Sequence, residues 1–157
     1  MTDSQSNEQM TRMLRSHVER ALQEIWGDQD LNTDDDADYP FRSETSMCWV
    51  SIIEGEQPAV RVFALAANGV PRSRKMLTEL TELNFRSRWT SISWDGGAIV
   101  VDTAIHWMSV DKPAIERALL SVATVADDIG VMVAAVFGGA TPFPVDLESV
   151  DSDEDAA

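Results

Sequence analysis

The stretch that decides the fold is "RWTSISWDGGAIVVDTAIHW", residues 88–107. Two runs of alternating apolar and polar residues flank Asp95-Gly96-Gly97. A period of two marks a strand with one dry and one wet face. The glycines supply the positive φ that a tight hairpin turn demands. The spacing therefore predicts an antiparallel hairpin. Parity places Ile92, Trp94, Ile99, Val101, Ile105 and Trp107 on the core face. Trp89, Ser91, Ser93, Val100, Asp102 and His106 fall on the other.

Downstream, Asp111 is placed to cap a helix and Pro113 sits in its first turn, where a missing amide costs nothing. Ile115, Leu119, Val122, Ala126, Ile129, Val133 and Phe137 recur at helical spacing, and Gly138-Gly139 ends the run. Upstream, Leu14, Val18, Ala21, Leu22 and Ile25 give one face of a helix over 8–26, stopped by Gly27. Three strands follow at 39–42 ("YPFR", an edge strand because of Pro40), 47–53 and 59–67. Their short links demand antiparallel pairing. A second helix over 73–84 has Ser73 as its cap and Met76, Leu77, Leu80 and Leu83 on one face. The expected order is α-β-β-β-α-β-β-α, an α+β domain with helices packed on an antiparallel sheet.

The chain has 157 residues and a formal charge of −15. Six acids lie in 28–38 and six in 146–157. Without them, 15 acids face 12 bases. The expected organisation is one domain, 1–145, with an acidic spacer at 28–38 and an acidic tail at 146–157. Dense like charge makes both segments mobile by expectation. No apolar run reaches bilayer length, and the polar start lacks a signal pattern, so a soluble cytoplasmic protein is expected.

The chemistry-bearing residues are sparse. The spacer "DQDLNTDDDADY" alternates carboxylates as a calcium loop does, but Thr33 and Tyr39 stand where glycine and glutamate are needed. Cys48, His17 and His106 lack any nucleophile motif, and no zinc set exists. No metal and no cofactor is expected. Arg72, Arg74, Lys75, Arg86 and Arg88 bracket the second helix as a basic patch. The acidic segments would compete for those cations, which argues against nucleic acid. Trp89 is a candidate contact residue on the polar sheet face.

The motifs "YPFR", "VRVFALAANGV", "LTELTELN", "WDGGAIVVDTAI" and "FGG", spread over residues 39–139, resemble those of the YbjN family and its relatives, the class I chaperones of type III secretion. The resemblance implies a compact α+β fold and a non-enzymatic, peptide-binding role, often as a dimer. It supplies no catalytic residues. Some YbjN-like proteins are described as sensory-transduction regulators. The expectation is a chaperone or adaptor for a protein or peptide client, with no nucleic acid and no membrane. Its contacts would be Trp89, Arg72, Arg74, Lys75, Arg86 and Arg88, and homodimerisation would use Met76, Leu80 and Leu83. The alternatives are an acidic regulator working by charge mimicry and, third, an enzyme with an unrecognised site.

Overall fold

The hairpin forms as its spacing predicts. Asp95 pairs with Ala98 across Gly96-Gly97, whose φ angles are 56° and 99°. Only glycine adopts both at no steric cost. The computed structural model describes residues 2–27 and 30–146. The expectation of a mobile tail thus falls, but for Asp146, outside the described residues. In chain order the elements are α1 (Asp3–Trp26), β1 (Tyr39–Arg42), β2 (Met47–Ile53), β3 (Ala59–Ala67), α2 (Arg74–Arg86), β4 (Ser91–Asp95), β5 (Ala98–His106) and α3 (Lys112–Phe137). All three upstream strands sit where the sequence predicts. Each helix caps where its sequence proposes: Gly27 is left-handed, Ser73 accepts from the Met76 amide, and Asp111 accepts from the Ala114 amide.

The sheet runs β1-β2-β3-β5-β4, every pair antiparallel. Alternate residues of β2, β3 and β5 (Cys48, Val50, Val60, Val62, Ala64, Ile99 and Val101) are buried on one face. Each such side chain contributes roughly 1.5–3 kcal/mol relative to exposure, less for alanine. α3 covers β3 and β5, and α1 lies against α3 and β2. The α3 seam read from the sequence is buried from Ile115 to Val133. This helix is long and apolar enough to cross a membrane by length and composition, contrary to the sequence reading. Here its apolar side is spent on the sheet.

One residue sets how closely α3 lies. A Cβ built on Gly130 would fall well inside van der Waals contact distance of the Ala66 carbonyl oxygen and 2.9 Å from its carbon. Helix and strand backbones meet there, so no side chain fits.

The two edges of the sheet end differently. At β4, the Asn84 side chain of α2 donates to the Ile92 carbonyl at 2.6 Å and accepts from the Ile92 amide at 2.7 Å. It occupies the place of a neighbouring strand. At β1, the Ser43 amide bonds the Ser46 carbonyl at 3.0 Å. Bonded pairs then fall at Phe41–Cys48 and Tyr39–Val50. Pro40 faces outward, where its missing N–H leaves no gap in the ladder.

Three sequence expectations are corrected. Met76 is 0% exposed and Leu80 4%. They pack into the core while α2 flanks β4, so they offer no face to a second copy; Leu83 is half-buried against the same core. Trp107 leaves the core face because β5 ends at His106 and Trp107 opens a 3-10 turn. The spacer, over 30–38, closes on itself: Asp34 accepts from the Asp36 and Asp38 amides, and Arg15 donates to the Ala37 carbonyl. Asp28 and Gln29 lie outside the described residues.

The β1–β2 turn is tied to α3 by one carboxylate. Asp127 accepts from the Ser43 hydroxyl, the Thr45 amide at 3.0 Å and the Thr45 hydroxyl at 3.2 Å. Burial alone would raise its pKa, but these donors together hold it below the ordinary 3.8. The tie is fully present above that ordinary value and is lost as pH falls through the lower folded value. Asp127→Ala should cost about 1–3 kcal/mol in urea unfolding at neutral pH. The gap to wild type should close in strong acid. Gly130→Ala should cost at least about 1–3 kcal/mol by overpacking, read as a lowered urea midpoint with unchanged slope.

Candidate functional site

Among the described residues, no helix covers the second face of the sheet. Register fixes its rows. Arg42, Met47, Leu65, Val100 and Ser93 lie side by side across the strands, and so do Pro40, Trp49, Phe63, Asp102 and Ser91. A third row holds Ser51, Arg61 and Ala104. The first two rows adjoin, so Met47, Leu65, Val100, Pro40, Trp49 and Phe63 form one apolar patch. Trp49 stacks on Phe63, centroids 5.2 Å apart and planes at 16°. Such a pair adds about 0.5–1.5 kcal/mol beyond burial. Arg61 lies over Phe63, 4.4 Å from its centroid, and pairs with Asp102 at 3.0 Å. This pair is partly exposed and adds little stability. It does hold the guanidinium over the ring. Arg42 lies 3.9 Å over the Phe143 ring, where the chain after α3 crosses the β1–β2 turn.

Sequence reasoning missed this patch. In "MCWVSII" and "AVRVFALAA" both parities are apolar, so alternation does not show which face is covered. The signal was pairing: once β2 and β3 are read as neighbours, Trp49 falls opposite Phe63.

Trp89 lies elsewhere than parity predicts. β4 begins only at Ser91, so strand alternation does not reach it. Trp89 is 76% exposed at the sheet margin. It walls a groove of about 340 Å³ with Ile105 of β5 and Ala114, Ala118 and Leu120 of α3. Arg117 also lines this groove. On its other side Trp89 borders a second depression, shared with Asn84, Arg88, Ser91 and Asp102.

The basic patch is divided. Arg72 and Arg74 line a depression with Leu77, Thr78 and Thr81 at the start of α2. Arg88 lies beyond the other end, about 18 Å away by helix rise alone. Lys75 and Arg86 are exposed on α2. The structure therefore unites Trp89 with Arg88 but not with Arg72, Arg74 or Lys75.

The residues with nucleophilic or basic potential do not meet. Burial pushes the Cys48 thiol up to about 12, aided by the Asp127 charge. An inert thiol results. His17 Nε2 donates to the Val110 carbonyl at 3.1 Å, and His106 Nδ1 accepts from the Met108 amide. Tyr39 is pushed up to about 12, by burial first and then by its hydrogen bond to Glu19. What the described surface does offer is apolar: one broad patch, one groove, and arginines beside each.

Comparison with known proteins agrees. No curated protein sequence matches the chain. A chain in the crystal structure of the ExsC–ExsE complex has the same fold, with a TM-score of 0.59 at 12% identity. The match covers 81% of this chain and 95% of that one. A family model described as "T3SS (YopN, CesT) and YbjN peptide-binding chaperone 1" matches residues 12–145, from within α1 to beyond α3. The family resemblance read over 39–139 thus extends into the first helix, and the chain belongs to this family of peptide-binding chaperones.

Proposed function

We propose that this chain is a non-catalytic chaperone or adaptor that holds an extended client segment across the open face of its sheet. The observation that carries the reading is the Trp49–Phe63 stack within an apolar patch that no helix covers. Aromatic side chains on a rigid scaffold present large contact area at small entropic loss. Edge pairing is the weaker route. Asn84 already engages β4, and Pro40 leaves Arg42 as the outward amide donor of β1. Side-chain contacts on the face therefore carry the client. The solved complex of the fold neighbour, ExsC with ExsE, supports a protein client of this kind.

Cytoplasmic location and homodimerisation belong to the same proposal. With Met76 and Leu80 spent internally, the dimer would draw on other surface, such as Leu83 and the 94% exposed Phe85 at the end of α2. The charge-mimicry reading has less behind it, since Asp34 of the spacer is engaged with its own loop.

An array of short synthetic peptides tests the site. Wild type should retain an apolar-rich subset. The double variant Trp49→Ala, Phe63→Ala should lose these by at least about tenfold. Near-ultraviolet circular dichroism would show that the fold persists. An unchanged binding pattern in the folded double variant would overturn the reading.

A further inference from the structure

The groove beside Trp89 is separate from the apolar patch and has its own chemistry. Its walls are Trp89 and Leu120, 76% and 70% exposed, with Ile105 and Ala118 at their backs. Its volume, about 340 Å³, suits one large apolar side chain. Arg117 lines it, and Arg88 stands next to Trp89 in the adjoining depression. Neither arginine forms an ion pair with a described residue. Asp102, which borders that depression, is already held by Arg61 at 3.0 Å. Glu116, one residue before Arg117, has Lys112 at 3.9 Å. Nearby acids are thus engaged while two cations flank an apolar slot. Arg117 and Arg88 are the charged side chains that line the groove and stand beside Trp89 without an acidic partner among the described residues.

We infer that this groove is a second client subsite, one that takes a single bulky apolar residue flanked by acidic residues. The inference rests on the peptide-binding reading and adds a sequence preference to it. The apolar residue would insert between Trp89 and Leu120. The flanking carboxylates would meet Arg117 and Arg88 as charge-assisted hydrogen bonds, for which the guanidinium fork is suited. Burying the anchor supplies affinity, and the arginines supply selection against basic neighbours.

Three fluorescein-labelled peptides test this on the full chain by anisotropy: a phenylalanine flanked by glutamates, the same flanked by lysines, and the glutamate version with alanine replacing phenylalanine. The first should bind at least about tenfold tighter than either of the others. Trp89→Ala should abolish the advantage, and Arg88→Glu with Arg117→Glu should reverse the charge preference. These side chains are exposed, so the fold should hold. Trp49→Ala with Phe63→Ala should leave it intact, which separates this subsite from the sheet face. No binding, equal affinities, or indifference to Trp89→Ala would overturn the subsite and leave the sheet-face reading standing. Binding that appears only after removal of residues 147–157, which hold Leu147 beside Glu148, would assign the groove to the chain's own tail and overturn the client assignment.

Discussion

The contact on which this structure depends is backbone against backbone: Gly130 of α3 set on Ala66 of β3. A long apolar helix must bury its seam, and a sheet must bury one face. Removing a single Cβ lets the helix settle low enough that Ile115, Val122, Ala126 and Val133 all reach the strands. α1 then closes the gap over β2. Both long helices are consumed on one side. Among the described residues, the other side of the sheet is left without a helix, and its apolar rows face outward.

That bare face would invite further pairing if the edges were also open. The sheet resists growth by two local devices. Pro40 sits where its nitrogen points away from β2. Asn84, from the last turn of α2, supplies both a donor and an acceptor to Ile92. The rest of α2 is arranged to deliver that asparagine. Met76 and Leu80 anchor it in the core, and the Val70 carbonyl accepts from the Trp94 indole at 2.9 Å where the chain enters the helix. A helix that reads as a free amphipathic surface is a strand-edge cap.

Much of this was legible because local chemistry and tertiary packing agree. The hairpin at Gly96-Gly97, the limits of the first three strands, the caps at Ser73 and Asp111 and the α3 seam all follow from spacing and turn residues. What escaped depends on neighbours. The face assignment of β2 and β3 was hidden by apolar residues at both parities. Trp89 was misplaced because alternation was extended past the first residue of β4. Met76 and Leu80 were offered to a partner because nothing local to α2 shows that β4 lies beside it. Asp127 carried no signal, since its donors are more than eighty residues away in sequence.

Between the two apolar surfaces lies the depression beside Trp89. The row that carries Trp49 and Phe63 continues through Asp102 to Ser91. Those last two residues also border the depression beside Trp89. The row ends at Ser91, two residues from Trp89 in sequence. Arg61 and Asp102 neutralise each other. The row itself is thus indifferent to the charge of a client segment. In the proposed reading, selection by charge would fall at the far end, where Arg88 and Arg117 form no ion pair with a described residue. In the proposed reading, broad apolar grip and sequence preference would be divided between a rigid sheet face and a groove between elements, and each could change in evolution without unmaking the other.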